Sequence, residues 1–160
     1  MTRWQEFTDE VPEFATRAEA RLRAYTHLTV ATIRADGSPR ICGNEIRFKD
    51  GDLYLAGMPK ARRWDDLRRE PRLAIHSGSA PVDDPTSWPG DAKVSGVASE
   101  ITDPDRLATF IADEKQVPPG PFALFVVEPT EVTAVGLNPA GDALVIETWK
   151  PGRGLVRHQR

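Results

Sequence analysis

The sequence has few of the residues from which proteins build disulfide frameworks and metal sites. Cys42 is the only cysteine, so no internal disulfide can form and nothing indicates an oxidising compartment. The three histidines, His27, His76 and His158, are far apart, and no His or Cys pair has metal-ligand spacing. We therefore expect no metal site. Cys42 is expected to be a small apolar side chain in a strand, although its pairing with a distant histidine stays open.

Long hydrophobic runs are also missing. No apolar segment approaches the ~20 residues that span a bilayer, and the first residues, MTRWQEFTDE, have no apolar signal core. We therefore expect a cytoplasmic protein with no membrane partner. A pI of about 5.6 argues against nucleic-acid binding. The chain contains no GxSxG, Walker or GxGxxG motif.

The pattern of apolar and turn residues predicts a mainly β protein with a few α-helices. The 160 residues have the length of one domain, which we expect to span 1–160. Apolar residues at helical spacing after Asp9, a plausible N-cap, predict one helix within 1–25 that has Pro12 in its first turn. Residues 79–91 are rich in Pro, Asp and Ser and predict a long loop, and residues 150–160 predict a basic tail.

Strand patterns alternate with tight turns along most of the chain. HLTVATIR, RICGNEIRF and LYLAG predict three strands, joined by turns at Asp36-Gly37 and Asp50-Gly51. RLAIHSG and AKVSGVASEI predict a fourth and a fifth strand, and a helix is expected to begin at Asp103. FALFVVEP, EVTAVGL and ALVIETW predict two or three more strands. Because the connections are mostly local hairpins, we expect an antiparallel barrel.

Residues 57–73, GMPKARRWDDLRREPRL, carry a cation cluster in a chain whose formal net charge is −3. The cation cluster consists of Lys60, Arg62, Arg63, Arg68, Arg69 and Arg72. Trp64 and Leu67 have the spacing of one helix face and predict a short helix, with Pro59 in its first turn.

The helix dipole divides the cation cluster. The C-terminal end of a helix favours cations, so the last three members need no functional explanation. The N-terminal end disfavours each cation by ~0.3 to 1 kcal/mol, and the first three members lie there beside unpaired amide N–H groups. A bound phosphate would reverse the sign of this effect.

A solvated helix is the alternative explanation. Arg62 would then pair with Asp65 or Asp66, and Arg63 would pair with Asp66. Such pairs contribute only ~0.2 to 0.5 kcal/mol, and a cation before an acid is the poorer order. The residues alone leave both explanations open, and adjacent acids such as Asp65 and Asp66 are usually solvated or capping groups.

The segment LTVATIRADGSPRICGNEIRFKDGDLYLAGMPKARRWDDLRREPRLAIHSGS resembles the flavin-binding split β-barrel of the pyridoxamine 5'-phosphate oxidase-like proteins. WPGDAKVSG and VIETWKPGRG extend the resemblance, which is closest to the flavin/deazaflavin oxidoreductase group of actinobacterial type. It implies a six-stranded split β-barrel and a homodimer. It also implies that FMN or the deazaflavin coenzyme F420 lies in a cleft between the subunits.

The resemblance also implies a set of cofactor-binding residues. The family's Ser-Arg-Lys phosphate motif corresponds to Ala61, Arg62 and Arg63, where Ala61 lacks the hydroxyl and Lys60 could supply the missing point charge. Residues at the ring, ribityl and phosphate regions correspond to Gly43, Asn44, Glu45, Arg47, Ala56 and Gly57. Arg47 would stabilise the negative charge that grows on the reduced ring. Lys93 is a further candidate, for which a cross-strand salt bridge is equally expected.

The resemblance implies an oxidoreductase in which the cofactor transfers hydride to or from a small organic substrate, so no protein residue is assigned a catalytic role. A non-catalytic flavin, deazaflavin or haem carrier is the alternative, and a structural dimer with a decayed site is a third. Oxidation of pyridoxamine phosphate is not expected, because the C-terminal Arg-x-His of the true oxidases is replaced by Arg157-His158. Trp88 is expected either to cover the pocket or to anchor its loop.

Overall fold

The computed structural model describes residues 2–112, 114 and 120–160, which contain four α-helices and nine β-strands. The helices are α1 (Trp4–Glu10), α2 (Pro12–Arg23), α3 (Arg62–Arg69) and α4 (Pro104–Ala112). The strands are β1 (Leu28–Ile33), β2 (Pro39–Asn44), β3 (Ile46–Lys49), β4 (Asp52–Gly57), β5 (Arg72–His76), β6 (Asp91–Glu100), β7 (Ala123–Leu137), β8 (Leu144–Lys150) and β9 (Gly154–Gln159). No helix in these ranges is both long and apolar enough to cross a membrane.

All strand pairs are antiparallel, which confirms the mainly antiparallel β fold predicted from the sequence. The hydrogen-bonded order is β2-β1-β5-β6-β7-β4-β3, with β8 added to β7 and β9 added to β8. Only Glu45 separates β2 from β3 in the chain. The two ends of the sheet therefore meet at Glu45, and the sheet curves into a barrel.

Aromatic residues from both ends of the chain close the core. Phe7 of α1 lies with its ring centroid 4.9 Å from Trp4, 5.8 Å from Phe14 of α2 and 4.8 Å from Trp149 of β8. All four side chains are buried. Such edge and tilted contacts stabilise aromatic pairs beyond the area they bury, so α1 and α2 are held firmly against the barrel.

The N-terminal segment forms two helices rather than the single predicted helix. Val11 ends α1 with φ −137° and also caps α2, which begins at Pro12. The residue before a proline is disfavoured in the helical conformation, so the chain turns at Val11. Asp9 lies inside α1, where its carboxylate accepts a hydrogen bond from Gln5 over 2.7 Å, and the prediction that it caps a helix was wrong.

One strand prediction was wrong and one open alternative is decided. RICGNEIRF is divided into β2 and β3. FALFVVEP and EVTAVGL together form the single strand β7, so the segments from FALFVVEP to ALVIETW give two strands, the smaller of the two expected numbers. A bulge opposite Ser95 and Gly96 accommodates Pro129, which cannot donate to the ladder. A Cβ atom at Gly96 would lie only 2.6 Å from the carbonyl oxygen of Glu128, so the bulge requires glycine there.

The predicted basic tail is largely a strand. Residues 154–159 form β9, which pairs with β8 through a turn in which Gly152 has φ +71°. The residues of β9 are exposed or half-exposed, so this hairpin extends beyond the core. Its basic residues are therefore held in fixed register instead of lying on a free terminus.

Candidate functional site

The last three members of the cation cluster form ion pairs. Arg68 and Arg69 lie in the last turn of α3, where the helix dipole favours cations, whereas Arg72 lies outside the helix, at the start of β5. The pairs are Arg68–Glu100 at 2.7 Å, Arg69–Asp66 at 3.4 Å and Arg72–Glu70 at 2.8 Å. Their charges are therefore balanced within the fold.

The first three members of the cation cluster have no such partners. The side chains of Lys60, Arg62 and Arg63 make no hydrogen bond or ion pair with the part of the chain that the structure describes. Because α3 begins at Arg62, its first two residues are arginines, while Lys60 precedes the helix and Pro59 lies outside its first turn. The pairing of Arg62 and Arg63 with the following acids, which was the alternative explanation, is not formed in the described part of the chain, where Asp65 pairs with Arg68 and Asp66 with Arg69.

Asp66 is unavailable to those arginines because it is buried. Its carboxylate accepts hydrogen bonds from the Thr32 hydroxyl at 2.8 Å and from Arg40 Nε at 2.6 Å. Burial would raise the pKa of Asp66, but the bonds from Arg40 and Thr32 outweigh burial and hold the pKa below its ordinary value. Asp66 is thus a structural anchor between α3 and the sheet, not the solvated or capping acid that we expected.

A cavity of about 570 Å³ opens where β2, β3 and β4 meet beneath the end of α4. Most of the candidate residues line it: Gly43, Asn44, Glu45, Arg47, Ala56, Gly57 and Arg63. They converge because Glu45 bends the chain between β2 and β3 and because β4 pairs with β3.

Three candidates do not line this cavity. Arg62 faces a smaller hollow of about 330 Å³ beside Arg34. Lys60 is exposed, and Lys93 is an exposed residue of β6 that pairs with no acid in the described part of the chain. The cross-strand salt bridge that we considered for Lys93 is therefore not formed there.

Sequence reasoning missed the remaining lining residues, which are His27, Met58, Phe110, Glu114 and Phe122. Met58 follows Gly57 directly, so its position next to the predicted residues Ala56 and Gly57 could have identified it. Phe110 comes from α4, and only the packing of that helix brings it here: its ring lies 5.2 Å from that of Tyr54. No local signal identifies such a contact.

Arg47 lies at the polar end of the cavity between two carboxylates. Its guanidinium donates to Glu45 at 2.7 Å and to Glu114 at 3.2 Å. Burial would lower the pKa of Arg47, but the hydrogen bonds that it donates to Glu45 and Glu114 outweigh burial and raise the pKa. Arg47 therefore carries a permanent positive charge, and His27 lies near it with Nε2 3.7 Å from Glu45.

Arg63 lies at another part of the wall and has an unpaired buried donor. Its Nε is buried with no acceptor among the described residues, and its guanidinium carbon is 4.8 Å from the centroid of the Trp64 ring. Trp64 is fixed by stacking on Phe125 and by its own hydrogen bond to the Met58 carbonyl. A buried unpaired donor is costly, so this position suits an anionic ligand.

Two glycines keep space open in the cavity. A Cβ atom at Gly57 would lie 3.2 Å from the Trp64 ring and 3.5 Å from Arg63 Nη2, so a side chain there would crowd the guanidinium. A Cβ atom at Gly43 would meet nothing within 4 Å, and Gly43 does not have a positive φ. Neither backbone conformation nor protein packing requires glycine at position 43, and a side chain there would enter the cavity.

Known proteins resemble this chain in sequence and in fold. The family model described as pyridoxamine 5'-phosphate oxidase matches residues 14–136. No curated protein sequence matches the chain.

Solved structures share the fold at low sequence identity. A pyridoxamine 5'-phosphate oxidase-related, FMN-binding protein from Nostoc punctiforme is 14% identical with TM-score 0.62, over 94% of this chain and 95% of that one. PhzG from Burkholderia lata, in complex with tetrahydrophenazine-1-carboxylic acid, is 15% identical with TM-score 0.61, over 98% and 92%. An F420 reductase is 20% identical with TM-score 0.53, over 71% and 94%.

Proposed function

Because the chain belongs to the pyridoxamine 5'-phosphate oxidase family, we propose that its main cavity binds FMN or coenzyme F420. The protein is then an oxidoreductase that acts on a small organic substrate. The observation that carries this proposal is the buried, unpaired Nε of Arg63 beside Gly57. An anionic group of the cofactor satisfies that donor, and the open strand at Gly43 leaves room for a planar ring system.

Each part of the cavity has a role in this proposal. Arg63 binds the cofactor phosphate, and the strand from Gly43 to Glu45 lies along the ring. Ala61 caps α3 without a side-chain hydrogen bond, so the amide groups of Arg62 and Arg63 are also available, whereas that of Trp64 donates to the Ala61 carbonyl. Arg47 supplies a fixed positive charge, and Phe110 and Phe122 exclude water from the apolar side. The bound cofactor supplies the hydride chemistry.

Titration of the purified protein with FMN and with coenzyme F420, followed by fluorescence, tests this proposal. We expect one of the two to bind at micromolar concentration, and we expect Gly43→Val to abolish binding because its side chain fills the cavity. Gly136→Val is the matched control, since a Cβ atom at Gly136 also meets nothing within 4 Å and Gly136 lies outside this cavity. Failure of both cofactors to bind, or equal loss in the two variants, contradicts the proposal.

A non-catalytic carrier of flavin, deazaflavin or haem is the second candidate. It is favoured by the bonding of Glu45 and Glu114 to Arg47, because both cavity carboxylates are then engaged by a protein cation. Turnover decides between the two functions. Steady reduction of a quinone or an enone by the reduced cofactor excludes a carrier, whereas tight binding without turnover excludes the oxidoreductase.

A homodimer is part of the proposal. Ile41 of β2 is 72% exposed. It is the cross-strand partner of Ala31 in β1, and Ala31 is in turn the cross-strand partner of Ala74 in β5. This row forms an exposed apolar strip on one face of the sheet, of the kind that marks protein interfaces. We propose that a second copy of the chain covers it.

Light scattering after size exclusion tests the dimer. We expect the unmodified protein to be dimeric and Ile41→Asp to be monomeric, because a carboxylate in the apolar strip is costly to bury. Leu155→Asp is the control. Leu155 is exposed, and because it pairs with the inward-facing Trp149, it lies on the face of the sheet opposite to the apolar strip. A dimer that survives Ile41→Asp places the interface elsewhere.

A further inference from the structure

A second cavity, of about 650 Å³, lies between α2, the edge formed by β7, β8 and β9, and the long loop. None of its lining residues lines the first cavity. It brings together two sequence features that the proposed function leaves unused, Trp88 of the long loop and Arg157 of the basic C-terminal segment.

The loop is built to hold Trp88 over this cavity. The Asp84 side chain accepts a hydrogen bond from the amide of Thr86 at 2.9 Å and starts a 3-10 turn that Trp88 ends. Two residues later Gly90 has φ +84°, and a Cβ atom there would lie 2.3 Å from the Val135 carbonyl oxygen. The loop therefore lies directly on β7, and only glycine permits that approach.

Arginines give the cavity excess positive charge. Arg17 is bound to Glu147 through contacts of 2.8 and 2.9 Å. Arg21 and Arg157 line the same cavity and have no partner within the described ranges. Arg17 and Arg21 are also four residues apart on α2, where like charges repel.

The remaining wall combines aromatic, aliphatic and polar residues. Trp88, Leu137 and Val145 line it, and so does a second carboxylate, Asp91, whose Oδ2 lies 3.5 Å from His76 Nε2. Two guanidinium groups that form no ion pair within the described ranges thus share the cavity with an indole and aliphatic side chains. An anion with an apolar or aromatic body matches both properties.

We infer that this second cavity binds a small aromatic carboxylate. Arg21 and Arg157 bind the carboxylate through charge-assisted hydrogen bonds, for which the planar guanidinium is well shaped. Trp88 packs against the aromatic body. The site is separate from the proposed cofactor cavity and does not depend on a cofactor there.

Calorimetric titration with 2-naphthoate, with 2-naphthamide as the neutral analogue, tests this inference. We expect 2-naphthoate to bind and 2-naphthamide to bind at least tenfold more weakly. Arg21→Gln and Arg157→Gln should each raise the dissociation constant for 2-naphthoate roughly tenfold, since each removes a charged hydrogen-bond donor. Neither arginine has a described partner, so both variants should fold normally.

Control variants locate the bound probe. Arg153→Gln removes a cation from the same hairpin but outside the cavity and should leave affinity unchanged. Trp88→Ala should weaken binding without altering the preference for the anion. The inference is overturned if 2-naphthoate does not bind at millimolar concentration, if both probes bind equally, or if Arg63→Ala abolishes binding while the Arg21 and Arg157 variants do not.

Discussion

Replacing Arg63 with alanine is expected to weaken the binding of FMN, or of coenzyme F420, by roughly tenfold to a hundredfold. The reason is the loss of charge-assisted hydrogen bonds from a guanidinium that makes no hydrogen bond or ion pair with the described residues. Because nothing in the fold depends on those bonds, the thermal unfolding midpoint should change little. Fluorescence titration and circular dichroism measure the two quantities.

Arg62→Ala is the matched control for Arg63→Ala. Both residues belong to the first turn of α3 and both lack partners in the described part of the chain, but only Arg63 lines the main cavity. We expect Arg62→Ala and Lys60→Ala to change cofactor affinity less than Arg63→Ala does. An equal loss in Arg62→Ala would mean that the phosphate lies across the helix terminus and that the assignment to Arg63 alone is wrong.

Replacing Asp66 with alanine is expected to lower the free energy of unfolding by about 3 kcal/mol. The change leaves Arg40 and Thr32 without the carboxylate that both bind. For a domain of this size, such a loss lowers the melting temperature by roughly 6 to 12 °C. Thermal and urea unfolding of the variant measure it.

Asp65→Ala is the control, because Asp65 is the neighbouring acid and its side chain is 58% exposed, against 4% for Asp66. Its pair with Arg68 lies on the surface, so its removal should cost about 1 kcal/mol or less. Equal destabilisation by the two variants would contradict the assignment of Asp66 as the anchor of α3.

The contribution of Asp66 should also depend on pH. Its pKa is lowered in the folded protein, so its stabilising effect is complete above the unfolded value of about 3.9 and is lost as the pH falls through the folded pKa. Urea unfolding of the unmodified protein and of Asp66→Ala should therefore differ most near pH 7. The difference should shrink as the pH falls below about 4.

Local signals were enough for most elements of the fold. The strand of alternating residues from Leu28 and the helix that begins at Pro104 were both predicted, because their patterns and turn residues act over a few positions. The errors occurred where a neighbour overrode the local pattern. Pro12 divided the first helix, and a bulge in β7, opposite Ser95 and Gly96 of β6, let β7 continue through Pro129.

The division of the cation cluster was also readable from the sequence. The helix dipole separated its first three members from its last three, and the ion pairs of Arg68, Arg69 and Arg72 agree with that division. The sequence did not reveal that Asp66 would be buried, since its partners Thr32 and Arg40 are distant in the chain.

The sequence by itself determined which segments form strands and helices and which cations lack a local reason for their position. Those properties depend on spacing and on backbone geometry over a few residues. Only the tertiary structure decided that Arg63 faces the main cavity while Arg62 faces away, and that Trp88 and Arg157 share a second cavity. Such juxtapositions depend on how the sheet curves and on where distant elements pack against it, and no local pattern records either.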